Sequence, residues 1–145
     1  MIELRDTIAD DIPHIAALES AHGDNFVMPY SLERHYRELD RPEVLYKSVY
    51  RGSDLIGFAI LVLDPDGCSV EFRRIVIADA GRGYGSMVVS MISDVARHDL
   101  GRARLWLDVF EDNARARRIY ERLGYRRFGQ TDHEGRVLLL YEQIL

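Results

Sequence analysis

Three glycines spaced two residues apart, Gly81, Gly83 and Gly85, stand at the head of "YGSMVVSMISDVA", a run whose apolar residues recur at helical spacing. A helix N-terminus presents unpaired backbone N–H groups and about half a positive charge, so it attracts anions. Glycine lets those amides approach a ligand closely and tolerates positive φ. No carboxylate in the first turn competes for them, and Arg82 lies among the glycines, so the turn suits an external phosphate better than an internal cap. A nucleoside-triphosphate loop requires Lys then Ser or Thr after its last glycine, and "GYGSM" has no lysine. The dinucleotide loop G-x-G-x-x-G fails in register, although Asp108, some twenty residues on, sits where a ribose ligand would.

Two further spacings bear on chemistry. Asn113 and Tyr120 are seven residues apart, two helical turns, so they project from one face of a helix toward the same ligand. Glu71, in "VEFRRIVI", precedes Ile75 by four residues, and regular alternation puts Glu71, Arg73 and Ile75 on one face of a strand. Glu71 then serves either as a general base or as an ion-pair partner of Arg73 or Arg74. The histidines are scattered and no H-x-x-x-H or C-x-x-C spacing occurs, so no metal site is expected.

These groups need a scaffold. At 145 residues and 47% hydrophobic content, the chain fits a single domain over residues 1–145. "IELR" reads as a first strand and "TIADDIPHIAALESA" as a helix with Asp10 or Asp11 as its N-cap. Ser31 caps a second helix, "LERHYREL". The turn signatures "RGSD" and "DPDG" divide the next β-branched and aromatic stretch into three antiparallel strands. The glycine turn opens a helix with the stripe Met87, Val88, Met91, Ile92, Val95 and Ala96, ending near Gly101. "ARLWLDVF" is a fifth strand, parallel to the fourth because a helix joins them. A helix from Asn113 to Gly124 and a closing hairpin about "DHEG" complete a mixed α/β fold: about seven strands, mostly antiparallel, flanked by helices.

Composition narrows the partners. A net charge of −5 argues against a nucleic-acid binder. Residues 1–40 carry nine acids against three arginines, whereas residues 102–127 carry eight arginines against four acids, a polarity that suits a cationic acceptor on one side and a polyanion on the other. No apolar run is long enough to span a bilayer, and the first residues lack a secretory pattern, so a cytoplasmic protein without membrane partners is expected. The lone Cys68 has no internal disulfide partner.

The sequence resembles the GNAT superfamily of N-acetyltransferases over nearly its whole length. That family carries Gln/Arg-x-x-Gly-x-Gly/Ala after its fourth strand; here the segment is "AGRGYG", with Gly83 and Gly85 matching and Ala80 in place of Gln or Arg. Its second hallmark, Asn, then Tyr seven residues later, then Leu-Gly-Phe/Tyr, is met by Asn113, Tyr120 and Leu123-Gly124-Tyr125. The resemblance implies strands four and five splayed apart and acetyl-CoA as the acetyl donor. It places the diphosphate on the amides from Arg82 through Gly83, Tyr84 and Gly85 to Ser86, and the pantetheine arm along Ile75, Val76 and Ile77. Asn113 and Arg117 join the cofactor-binding set, with the other arginines near them left open. Tyr120 is the implied acid for the departing thiolate and Glu71 the base, with Glu111, Asp112 and His133 behind it. The family's acceptor pocket falls on "HGDNFVMPYS", where Asp24, Phe26, Met28 and Tyr30 suit an amine with an apolar body, small molecule or peptide. The resemblance also allows a homodimer. A module of the same fold that binds CoA without catalysis is the alternative.

Overall fold

A computed structural model describes residues 1–23, 28–78 and 81–145. Seven strands, β1 (Ile2–Asp6), β2 (Val44–Arg51), β3 (Asp54–Leu63), β4 (Ser69–Ile77), β5 (Arg104–Phe110), β6 (Arg126–His133) and β7 (Arg136–Ile144), form one sheet in the order β1-β2-β3-β4-β5-β7-β6. Every pairing is antiparallel except β4 with β5. The four α-helices among the described residues are α1 (Ile12–His22), α2 (Leu32–Leu39), α3 (Tyr84–Asp94) and α4 (Ala114–Arg122). None is long and apolar enough to cross a membrane.

The sheet is covered on both faces. Val88, Val89, Ile92 and Ala96, from α3 and the π turn after it, join Leu61, Phe72, Leu107 and Tyr141 in one apolar cluster, against which Ile119 and Leu123 of α4 pack. Ile12, Ile15 and Leu18 of α1 pack on the other face with Tyr46, Phe58, Ile60 and Val76. Central β3 is therefore buried at every position from Leu55 to Val62, which accounts for its unbroken apolar run. The stripe of α3 is rotated slightly from its expected position: Val89 is buried and Met87 is half exposed.

Two local departures matter for the site. Strands β4 and β5 pair only at Ser69–Glu71 with Arg104–Trp106 and then separate, although β4 runs on to Ile77 and β5 to Phe110. In β4 a bulge leaves Arg73 without a partner, because Leu61 opposes Phe72 and Ile60 opposes Arg74. The extra residue reverses the alternation. Phe72 and Ile75 both pack toward the α3 side, so Glu71 and Ile75 lie on opposite faces and the regular spacing read from the sequence does not hold.

Asp11 stands at the N-cap of α1, as expected, but its side chain makes no capping bond to that helix. A 3₁₀ turn at Ala9–Asp11 leads into α1, and no side chain caps that helix. The Asp11 carboxylate instead accepts from the hydroxyls of Ser48 and Tyr50, at 3.0 and 2.8 Å, fastening the turn to β2. Ser31 does cap α2, accepting from Arg34 N–H at 3.1 Å.

Candidate active site

The first intrahelical bond of α3 runs from Met87 N–H to Gly83 C=O, leaving the N–H groups of Tyr84, Gly85 and Ser86 without intrahelical acceptors. Gly83 reaches this geometry at φ 79°, a conformation that strains a residue with a Cβ. Asn113 caps α4 through Ala116 N–H at 3.3 Å, and that fixes the start of the helix carrying Tyr120.

Strand alternation supplies the next polar groups. Ala78 N–H bonds Ile56 C=O at 2.8 Å and Val76 is paired with Phe58, so the peptide groups of Val76 are engaged with β3. Those of Ile75 and Ile77 point the other way, into the gap left by β5. Ile77 therefore presents its N–H there and Val76 does not.

Two cavities meet in this gap. The larger, about 390 Å³, runs between α3 and α4 past Ile77, Gly83, Gly85 and Ser86. The smaller, about 150 Å³, lies toward α1 and is walled by Glu19, Arg73, Arg74, Asp108 and Phe110. Ile75, Val76, Asn113, Ala116 and Tyr120 line both. The half-buried Tyr120 ring packs against Tyr125, with centroids 5.5 Å apart.

The arginines divide in a way the sequence left open. Arg115, Arg118 and Arg122 line the larger cavity, and Arg122 donates to Ser86 Oγ at 2.7 Å. Arg117, expected among the cofactor residues, lines neither cavity. It donates to Glu111 C=O and Tyr141 Oη at 3.0 and 3.3 Å, because the 100° turn per residue carries it past the stripe formed by 115, 118 and 122. Arg82 and Tyr84 do not line the cavity either. The Tyr84 hydroxyl accepts from Arg51 at 3.4 Å, and Arg51 first, then Arg82, draws its pKa down.

The carboxylates also separate. Glu71 accepts from Arg73 Nη2 at 2.8 Å and lines neither cavity. Asp108 lines the smaller one. Its side chain reaches solvent at the cavity mouth, yet the wall behind it strips hydration and raises its pKa; the charge of Glu71 adds to the effect while Arg73 and His133 oppose it. A carboxyl raised in this way is suited to accepting a proton. Sequence reading did not weigh Asp108 among the candidate carboxylates, although alternation along β5 sets it opposite the buried Leu107 and Val109. Of the weaker candidates, His133 touches Phe110, with ring centroids 6.2 Å apart, and Asp112 accepts from Arg136 at 3.2 Å.

Of the expected acceptor residues, Asp24 and Phe26 lie outside the described residues, as does Ala80. Met28 is largely exposed. Tyr30 is buried with its ring between two guanidinium groups, Arg34 and Arg74, each 3.8 Å from the centroid, so its faces are already covered. This packing belongs to a buried polar network. Glu19, 3% exposed, accepts from Tyr30 N–H and His35 Nε2, both at 2.9 Å, and from Arg74. The other His35 nitrogen bonds Tyr46 Oη at 2.7 Å, and Arg74 also donates to Met28 C=O at 2.9 Å. Burial alone pushes the Glu19 carboxyl up, but the bonds from His35 and Tyr30 and the charge of Arg74 outweigh it and hold the group below the usual carboxylate range.

Comparison with known proteins bears on this arrangement. The sequence profile of the acetyltransferase (GNAT) family matches residues 15–125. The spermine/spermidine N(1)-acetyltransferase of Bacillus subtilis (strain 168) is 29% identical over 107 residues, covering 67% of this chain and 70% of the relative. Among solved structures, an N152L mutant of the spermidine N-acetyltransferase SpeG from Vibrio cholerae superposes with a TM-score of 0.83 at 20% identity, covering 99% of this chain and 93% of the other. The ribosomal-protein-S18-alanine N-acetyltransferase from Escherichia coli gives a TM-score of 0.84 at 18% identity, covering 99% and 94%.

Proposed function

Because the chain belongs to the acetyltransferase (GNAT) family, we propose that it transfers the acetyl group of acetyl-CoA to a primary amine by direct attack. The observation that carries this reading is the meeting of two cavities at Ile75, Val76, Asn113, Ala116 and Tyr120, which gives donor and acceptor separate seats on one reaction point.

The residues present fit the donor. Backbone N–H groups of Tyr84, Gly85 and Ser86, with Arg115, Arg118 and Arg122, match a diphosphate. The peptide edges of Ile75 and Ile77 match the two amides of a pantetheine arm. Acetyl-CoA supplies the acetyl group as an activated thioester. In this reading Asp108 replaces Glu71 as the base and takes one proton from the arriving ammonium. The neutral nitrogen then bonds to the acetyl carbon and releases a second proton, which offsets the one given to sulfur. Tyr120 gives a proton to the sulfur as the C–S bond breaks; a phenol near 10 and a thiol near 8.5 are close enough for a hydrogen-bonded transfer. Ile77 N–H, which faces away from β3 into the gap, would polarise the acetyl oxygen of a bound donor.

Asp108 favours a cationic acceptor arriving at the smaller cavity. The curated relatives named for spermine and spermidine make polyamines the first acceptors to assay. The test is release of CoA thiol from acetyl-CoA with spermidine, spermine, 1,4-diaminobutane and an alanyl peptide, with the acetylated amine identified by mass. We expect turnover with at least one of them; CoA binding with no release for any would sustain the non-catalytic module instead.

A further inference from the structure

The acceptor pocket holds a buried acid that the proposed chemistry does not use. Glu19 sits on the wall of the smaller cavity, and its carboxylate meets Arg74, which is also on that wall. Arg74 is at the same time tied to Met28 C=O and stacked on Tyr30, while Glu19 holds Tyr30 N–H. One ion pair thus joins α1, the chain entering α2 and the bulged part of β4.

The charges around the pocket are finely set. Among the described residues on its wall, Arg73 is answered by Glu71 and Arg74 by Glu19, which leaves Asp108 as the net negative charge. Without the charge on Glu19, Arg74 cancels Asp108 and the pocket no longer favours a cation. A guanidinium at such short range, partly shielded from water, acts on an incoming ammonium far more strongly than one in bulk solvent does.

Resting on the transferase reading of this site, we infer that Glu19 is a specificity-determining positioning residue: by neutralising Arg74 on the acceptor wall and pinning the chain at Tyr30, it admits polycationic amines. A residue with a packing role alone affects all amines equally. Charge neutralisation affects an amine in proportion to its charge, so a diamine and a monoamine of equal length separate the two.

The experiment measures 1,4-diaminobutane and butylamine binding to the CoA-saturated protein by calorimetry, alongside KM and kcat for both. In Glu19→Gln, whose side-chain carbonyl still accepts from His35 and Tyr30, diamine affinity is expected to fall about tenfold or more and butylamine affinity about threefold or less. The loss appears in KM for the amine, with kcat and CoA affinity little changed. Arg74→Gln is expected to move the diamine-to-monoamine ratio the other way, so the inference stays testable if Glu19→Gln does not fold. The double variant Glu19→Gln/Arg74→Gln restores the ratio toward wild type. Equal losses for both amines in Glu19→Gln, an unchanged ratio in Arg74→Gln, or a wild type that binds neither amine overturns the inference. A wild type that binds the diamine in a Glu19-dependent way and transfers no acetyl group refutes the transferase reading and leaves the inference standing.

Discussion

The carboxylate of Glu71 is held at 2.8 Å by Nη2 of Arg73, the bulged residue of β4, and it lines neither cavity at the gap where Tyr120 lies. Of the two acids at this end of the sheet, only Asp108 faces the smaller cavity. The roles of the two are separable by experiment.

Asp108→Asn is expected to lower kcat about a hundredfold or more, the size of a lost general base, with CoA affinity unchanged. Glu71→Gln is expected to cost less than about tenfold. Steady-state kinetics with a saturating amine reads both; the reverse order returns the base to Glu71.

Asp108 should titrate above the ordinary aspartate value of about 3.9. Because Glu71 contributes to that rise, Glu71→Gln is expected to bring the Asp108 titration down, and the newly unpaired Arg73 pulls in the same direction. Carbon-detected NMR titration of the aspartate carboxyls measures this directly. An unmoved Asp108 in the variant contradicts the proposed coupling.

Tyr120→Phe should reduce turnover about a hundredfold while changing CoA affinity less than about threefold. Equal activity in the variant removes the phenol from the chemistry. Isothermal titration with CoA and single-turnover kinetics supply the two numbers.

On the phosphate side, a Cβ at Gly85 meets Ile119 Cδ1 at 3.9 Å, an ordinary van der Waals contact, so the backbone there tolerates a side chain, and Gly85→Val places its γ-methyls to crowd the larger cavity. It is expected to weaken CoA binding at least tenfold with little change in melting temperature. Arg118→Ala should weaken CoA but not acetyl-pantetheine, which lacks the phosphates, and the difference should shrink at high salt. Competition binding of the two ligands tests both statements.

Among the described residues the Tyr125 hydroxyl is buried with no hydrogen-bond partner, and burial raises its pKa to about 12. Ser93, which bears on this phenol, gives its own hydroxyl to Gln143 at 2.6 Å. Tyr125→Phe removes an unsatisfied group and keeps the ring, so thermal unfolding should occur at an equal or higher temperature. A loss of more than about 1 kcal/mol would mean the hydroxyl has a partner after all.

What was legible in the sequence was local. Strand patterns, the turns at "RGSD" and "DPDG", the Ser31 and Asn113 caps and the glycine turn each depend on a few neighbouring residues, and all appear in the structure. The features missed depend on distant ones. The bulge at Arg73 is set by registry with β3, and no feature of "EFRRIV" marks it. Asp11 serves β2 and not its helix, since Ser48 and Tyr50 come within reach only in the folded sheet. The choice among the α4 arginines turns on the helix's rotation about its own axis, which Ile119 and Leu123 fix by packing. Asp108 was not weighed as a base because its place on the cavity wall and its charged neighbours are tertiary facts.

The wedge between β4 and β5 has a kinetic consequence. One chamber opens beside α1 and the other between α3 and α4, so traffic has two doors and a single threshold. In the proposed transferase reading, a guest in one chamber leaves the other chamber free, so that neither has to depart before the next arrives.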